Sequence, residues 1–406
     1  MFTRFLKRAI PFGLTAFACC FSISCSVPRY SAETIPLQVQ ATEPFLARGK
    51  ALVTMMCADC HTNPVTGQLS GKQLADVPKI MGTLYSKNIT QHPHNGTGTY
   101  TDGQLAYLLR TGINHRGYLS PIMAKPGISD QDLQAIIAYL KHSPDKMVQA
   151  ADVESPESRY SAPAKMAFRF KIRPSPYPTQ AIATPSLTDK VAYGKYMVRI
   201  LGCYECHSKS MVSINKEEPE QSKGYMSGGA KLKSLDGKTV HVPNLTMDKE
   251  TGISSWTEGE FIKAIRESTA PGNRIITFPM PNYNALSIEE AGAIYAYIQT
   301  LPAVRNKVKR NTMPVTKVNT TDILATGKQV YARYGCQACH GEDGIGVADL
   351  RKAHADFPDD ASLEAFIKNP GSVHPGTRMP AFGNIILQEE FKPLLAYVRW
   401  LGARQK

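Results

Sequence analysis

Apolar residues recur at helical spacing in three stretches of this chain, and each stretch carries the same short phrase. Leu133, Ile136, Ile137 and Leu140 trace one helix face, and the phrases are Ala138-Tyr139-Leu140, Ala296-Tyr297-Ile298 and Ala396-Tyr397-Val398. Ser129-Asp130 and Ser287-Ile288-Glu289-Glu290 open two of these stretches with the acidic first turn that a helix N-terminus favours. A second helical run lies upstream of each: Gly49-Lys50 to Met56, Gly194-Lys195 to Gly202 and Gly327-Lys328 to Gly335. The pattern is a repeat with an opening and a closing helix, and the tyrosines are expected to pack between the two. It predicts an all-α protein of three tandem domains at residues 41–144, 185–303 and 318–406. Residues 145–184, with Pro174, Pro176 and Pro178, read as an extended strap. Within it Met166, Phe168 and Phe170 alternate with basic residues and offer an apolar edge that would wrap over a neighbour. Residues 302–317 form a short basic linker.

Directly after each opening helix comes C-x-x-C-H: Cys57-Ala58-Asp59-Cys60-His61, Cys203-Tyr204-Glu205-Cys206-His207 and Cys336-Gln337-Ala338-Cys339-His340. This is the attachment pattern of a c-type haem, in which two thiols form thioethers with the vinyl groups and the histidine ligates iron. Two intervening residues put both sulfurs along one porphyrin edge. Zinc also takes Cys and His, but a tetrahedral site rarely uses two cysteines with the immediately following histidine, and no second C-x-x-C accompanies each first one. Three copies predict three covalently bound haem c groups and make each domain a cytochrome c domain. Six of the nine cysteines are thereby used.

A methionine next to or between prolines precedes every closing helix: Met123 between Pro121 and Pro126, Pro279-Met280-Pro281, and Met379-Pro380. A thioether is a soft, neutral donor, and a His/Met pair raises the reduction potential of an electron carrier. The expected iron ligands are therefore His61 with Met123, His207 with Met280, and His340 with Met379. In the first repeat His92, His94 and His115 are rivals to Met123. Repeats one and two also share Asn88-Ile89-Thr90 and Asn244-Leu245-Thr246, each followed by a Thr-Gly-containing segment. Two readings of these stand: Asn88, Asn244 and the Trp256 indole donate to haem propionates, or the asparagines are turn residues.

Charge adds little to this. Of the net +13, Arg4, Lys7 and Arg8 contribute three and head an apolar run from Ile10 to about Ile23 that resembles an export signal, residues 1–24. Ser22-Ile23-Ser24-Cys25 resembles a relaxed lipobox, which would lipidate Cys25 and hold the protein at a membrane surface; cleavage after Ala16-Phe17-Ala18 is the alternative. Both place the mature protein outside the cytoplasm. The remaining cations are scattered apart from Arg305, Lys307, Lys309 and Arg310, which argues against nucleic acid as a partner. No serine–histidine or paired-carboxylate constellation stands out.

Gly82-Thr83-Leu84-Tyr85-Ser86-Lys87-Asn88-Ile89-Thr90, Gly228-Gly229, the Thr-Gly pairs, Pro279-Met280-Pro281 and the Ala-Tyr helices give residues 43–303 a resemblance. They look like the three-haem cytochrome c subunits of bacterial membrane-associated dehydrogenases for alcohols, aldehydes and sugar acids. The third repeat resembles a small single-domain cytochrome c, and the second carries a polar insertion around Lys216 to Lys223. The resemblance implies periplasmic electron relay from a dehydrogenase subunit to quinone, a soluble cytochrome or a terminal oxidase. The rival is a haem enzyme, a peroxidase or dehydrogenase, with one open or exchangeable iron site. A weaker rival is a haem-bearing sensor.

Overall fold

The computed structural model describes residues 26–404 apart from 64–65, 75–76, 212–213, 234–238, 273, 277–278, 310–321, 347, 375–376, 378, 380 and 384–385. The expected export signal and Cys25 lie outside the described residues. The first repeat holds helices α1 (Glu43–Met56), α2 (Ala58–His61), α3 (Asp102–Thr111) and α4 (Asp130–His142). Helix α5 (Ala162–Phe170) follows in the strap, and the second repeat holds α6 (Lys190–Leu201), α7 (Cys203–His207), α8 (Glu258–Glu267) and α9 (Ile288–Gln299). The third holds α10 (Ile323–Arg333), α11 (Gln337–His340), α12 (Ala353–Asp356), α13 (Asp360–Lys368), α14 (Pro370–Val373) and α15 (Gln388–Ala403). The protein is mostly helical, with three two-stranded antiparallel ladders in addition: β1 (Gly82–Thr83) with β2 (Arg159–Tyr160), β3 (Lys231–Lys233) with β4 (Thr239–His241), and β5 (Thr269–Ala270) with β6 (Arg274–Ile275). Among the described residues no helix is long and apolar enough to cross a membrane.

Each repeat is built on a crossing of its opening and closing helices, α1 on α4, α6 on α9 and α10 on α15. The glycines of the Gly-Lys phrases make the crossing possible. A Cβ on Gly49 would lie 2.0 Å from the Ala135 carbonyl oxygen, one on Gly194 1.9 Å from that of Ala293, and one on Gly327 2.0 Å from that of Pro393. The closing tyrosine sits beside the crossing: its Cβ is 2.6 Å from the same built position at Gly49 (Tyr139) and at Gly327 (Tyr397). Tyr139, Tyr297 and Tyr397 are all buried, as are Leu133, Ile136, Ile137 and Leu140 on the predicted face. The closing helices of the first two repeats start where polar caps satisfy orphan amides. Ser129 Oγ accepts from Asp132 N at 3.1 Å, and Ser287 and Glu290 form a reciprocal capping box. Thr101 with Gln104 and Thr257 with Glu260 cap α3 and α8 in the same way.

The first two repeats share one hydrophobic core, and the third has its own. Arg48 on α1 joins the first pair. Its guanidinium meets Asp132 on α4 at 2.8 Å and Glu290 on α9 at 2.6 Å, while Tyr193 donates to Glu290 and Tyr196 to Asp132, both at 2.6 Å.

The strap corrects one expectation. Residues 162–170 are helical, not extended, because Ser161 caps the start and Pro163 falls in the first turn, where its missing amide costs nothing. On a helix, Met166 and Phe170 share a face that is exposed, and Phe168 turns the other way into a small core with Tyr107, Ile113 and Leu119. The strap does wrap the first repeat: β2 pairs with β1, and Ile182 and Thr184 hydrogen-bond to Asp130 and Ser129 at the head of α4.

Gly194→Val is expected to cost about 3 kcal/mol by overpacking the α6–α9 crossing, whereas Gly259→Ala, with open space around it on α8, should add roughly 0.5–1 kcal/mol. Thermal unfolding midpoints check both, and a tolerated Gly194→Val would remove the crossing from its central place. Acid sensitivity is expected as well. Burial opposes the charge of Asp102, but the Lys141 ammonium at 2.6 Å and the Val39 amide outweigh it and hold the carboxyl below its usual value. Its stabilising contribution is complete above the unfolded carboxylate value of about 3.9 and is lost as pH falls through the lower folded value. Asp102→Asn should therefore flatten the acid limb of the stability profile, which urea unfolding at a series of pH values measures.

Candidate functional site

The three C-x-x-C-H phrases each begin directly after an opening helix. In the second and third repeats the break is Gly202 or Gly335, both at φ 73°, a left-handed conformation that ends the helix and lets the next short helix turn away. The first repeat makes the same turn without glycine, through Cys57 itself at φ −113°. Helices α2, α7 and α11 then carry the second cysteine and the histidine.

Each histidine is held by a backbone carbonyl at its Nδ1: His61 donates to Lys87 O at 2.6 Å, His207 to Pro243 O at 3.0 Å and His340 to Ala348 O at 2.8 Å. A carbonyl can only accept, so Nδ1 carries the proton and Nε2 keeps its lone pair. Burial lowers the proton affinity of all three rings, with His207 pushed down to about 4. Each imidazole is thus neutral and in one tautomer, the form that binds iron. Burial also pushes the thiols of Cys57, Cys203 and Cys336 up to about 12, and raises those of Cys60's counterparts Cys206 and Cys339. None of the six cysteines is in a disulfide. Among the described residues, no three His, Cys, Asp or Glu side chains converge as a metal cage would require. The donor set fits a haem attached through the cysteines and ligated by histidine.

Met123, at the end of a single 3₁₀ turn from Pro121, and Met280 are half-buried against the shared core; Met379 is half-buried against the third. Among the rivals, His92 accepts from Asn95 N at 3.0 Å and faces Asp152 at 3.5 Å, so both ring nitrogens are engaged within its loop. His115 packs edge-on against Tyr100, with centroids 4.2 Å apart.

The asparagines bond to backbone near their turns. Asn88 Nδ2 donates to Ala151 O at 2.8 Å and Val153 O at 3.0 Å, and its Oδ1 accepts from Thr90 N and Thr90 Oγ1. Asn244 Nδ2 donates to Val304 O at 2.8 Å and Thr251 Oγ1 at 3.1 Å, and its Oδ1 accepts from Thr246 N and Oγ1. Both amide hydrogens of each asparagine are thus engaged within its turn and the segment that passes it. Yet these turns do bear on the iron ligand. Lys87 and Pro243, whose carbonyls hold His61 and His207, are the residues directly before Asn88 and Asn244. The asparagine fixes the turn, and the turn fixes the carbonyl. The Trp256 ring packs on the shared core, and its backbone carbonyl accepts from Tyr295 Oη.

Two further residues escaped sequence reading. Gly71 N donates to His61 O at 2.8 Å and Gly228 N to His207 O at 2.6 Å, and a Cβ would strike Ser86 O at 2.4 Å or the Pro243 carbonyl carbon at 2.4 Å. Both have positive φ. The signal was there only as Gly228-Gly229 and an unremarked Ser70-Gly71.

This architecture and donor set are those of a chain that contains cytochrome c domains, the class that carries covalently bound haem c. Residues 46–144 match the family model for cytochrome c, and residues 322–398 that for cytochrome c oxidase, cbb3-type, subunit III. Over most of its length the chain is similar to dehydrogenase subunits. It is 25% identical over 393 residues to the cytochrome c subunit of alcohol dehydrogenase (quinone) from Gluconobacter oxydans, covering 88% of this chain and 79% of that one. It is 28% identical over 359 residues to the fructose dehydrogenase cytochrome subunit of Gluconobacter japonicus, covering 78% and 68%. With the gluconate 2-dehydrogenase cytochrome c subunit of Pantoea cypripedii it shares 26% identity over 391 residues, covering 89% and 86%.

The role of the turns is testable. Asn244→Ala should cost about 1–3 kcal/mol by removing the bonds that close the turn on Thr246 and Val304, and it should raise the reduction potential of the second haem, because an imidazole that loses its Nδ1 acceptor is a weaker donor to ferric iron. A residue donating to a propionate would give the opposite sign on removal. Redox titration of the variant separates the two.

Proposed function

We propose that this protein is a three-haem c-type cytochrome that passes electrons from a dehydrogenase subunit to quinone, a soluble cytochrome or a terminal oxidase. The observation that carries this reading is the threefold recurrence of one donor arrangement: a C-x-x-C-H phrase whose histidine has Nδ1 committed to a backbone carbonyl. The relatives' names, all cytochrome subunits of dehydrogenases, supply the partner class. The axial pairs are His61 with Met123, His207 with Met280 and His340 with Met379. Neutral thioether and imidazole ligands favour reversible one-electron cycling of iron; the protein's own part is to hold, orient and bury the group.

The relay is supported by how the repeats meet. The Met123 loop of the first repeat lies against Glu205 of the second, and Asn284, four residues after Met280, donates to the carbonyl of Thr377, two residues before Met379. The loops that present the sixth ligands are thus at the junctions. Export from the cytoplasm, by residues 1–24, and lipidation of Cys25 complete the proposal: the cytochrome works in the periplasm at the membrane surface, where a membrane-associated dehydrogenase and a quinone both reside.

Optical and magnetic spectra of the purified protein should show three low-spin haems with thioether-to-iron charge transfer. Met280→Ala and Met379→Ala should each lower the potential of one haem and leave the other two in place. High-spin iron in the unaltered protein, or turnover of peroxide, would replace the relay with an enzyme.

A further inference from the structure

The polar insertion of the second repeat reaches across to the first. Lys216 Nζ donates to Pro121 O at 2.8 Å and to Ala124 O at 3.3 Å, the two carbonyls that bracket Met123, and lies 3.5 Å from Glu205 Oε1. Lys125, two residues after Met123, meets the same Glu205 oxygen at 3.4 Å. Glu205 stands between the two cysteines of the second attachment phrase. All three side chains are largely withdrawn from water, with 17–22% exposure, so their mutual attraction is weakly screened.

Lys216 is itself held from the side of the second repeat. Glu220 pairs with Lys195 on α6 at 2.7 Å, Arg199 on α6 donates to Glu217 O at 2.6 Å, and Asn215 Oδ1 accepts from the amides of Glu217 and Glu218. The insertion is therefore stapled to the opening helix of the second repeat. On the first repeat, the turn it touches is held by its own backbone: Ser120 N donates to Gly112 O at 2.8 Å and Ala124 N to Pro121 O at 3.2 Å. Met123 N bonds to Ser120 O within the turn, and Lys125 N to Leu109 O on α3; Ile122 at its tip is 61% exposed. Pro121 O already accepts from Ala124 N, and the ammonium takes its second lone pair while bonding Ala124 O as well, so it braces the turn on both sides of Met123.

We propose that Lys216 is a positioning residue for the Met123 loop, so that thioether ligation of the first haem depends on the second repeat being docked against the first. The inference rests on the reading of Met123 as the sixth ligand. It gives the insertion a function: the second repeat clasps the ligand loop of its neighbour through the same carboxylate that sits in its own attachment phrase. The first haem is thereby a methionine-ligated carrier only within the assembled pair.

The experiment uses the full-length holoprotein. Lys216→Met keeps the apolar stem and removes the donor. It should speed hydrogen exchange of the amides of residues 122–125, lower the thioether-to-iron charge-transfer absorbance by about one third, one haem's share of three, and lower the first haem's potential with the other two unmoved. Lys216→Arg should restore most of the absorbance. Met123→Ala serves as the reference. If it leaves the absorbance unchanged, the ligand reading is wrong. If it removes one third while Lys216→Met changes neither absorbance nor exchange, the clasp alone is wrong. Should Lys216→Met yield no holoprotein, the shorter polar Lys216→Gln carries the same readouts.

Discussion

The close passage of one helix over another, with nothing but hydrogen on the crossing residue, is the constraint from which the rest of this molecule follows. Gly49, Gly194 and Gly327 bring a helix backbone to within contact of a carbonyl on the partner helix. A crossing that tight has one register, because any Cβ at the crossing point would overlap the carbonyl. Register on the opening helix fixes where that helix ends, and the attachment phrase begins eight residues after the glycine in the first repeat and nine in the others. The additional place is taken by Gly202 or Gly335. The position of the two sulfurs and of the imidazole relative to the core is thus set by a contact made more than two helical turns away.

What could be read in advance was whatever repeats in sequence as well as in space. The Gly-Lys and Ala-Tyr phrases, the attachment phrases and the Asn-x-Thr segments all recur, and their meeting could be anticipated because helical periodicity puts them on facing surfaces. The carbonyls that hold His61, His207 and His340 could not be read, since they come from Lys87, Pro243 and Ala348, three residues with no chemistry in common. A backbone acceptor leaves no trace in residue identity. Asn88 and Asn244 were visible but their task was not, because it depends on Ala151, Val153 and Val304, carbonyls some sixty residues downstream. Helix α5 was hidden by its proline surroundings; a proline in the first helical turn is compatible with the helix that follows it.

The repeats are not equally bound to one another. Arg48 carries the first two as one body: its charge is balanced by Asp132 and Glu290, each from a different closing helix, with two tyrosine hydroxyls completing the carboxylates. Removing one member of such a buried set strands the others and costs about 3–5 kcal/mol, so the network enforces a single relative placement of the two repeats even where its net stabilisation is modest. The third repeat has a separate core, in which Arg333 and Tyr334 satisfy Glu390 within the repeat itself. The same position, an acid in the first turn of the closing helix, thus serves an inter-repeat bridge in Glu290 and an internal one in Glu390.

In the proposed relay that difference bears on electron flow through the chain. Tunnelling between carriers depends on a fixed separation, and the first pair has one fixed twice, by Arg48 through the core and by the Lys125–Glu205–Lys216 cluster at the ligand loop. The second repeat occupies the middle of the sequence of contacts, since its attachment phrase faces the first repeat and the residues after Met280 face the third. Between its cysteines stands Glu205, largely withdrawn from water and held ionised against burial by two lysines, in the place that Asp59 takes in the first repeat. A charge so close to the group bears on the second haem's potential more than the exposed cations of the basic linker do, because solvent and salt screen those and not this. In the proposed relay the setting of this middle carrier decides whether electrons rest there or pass through.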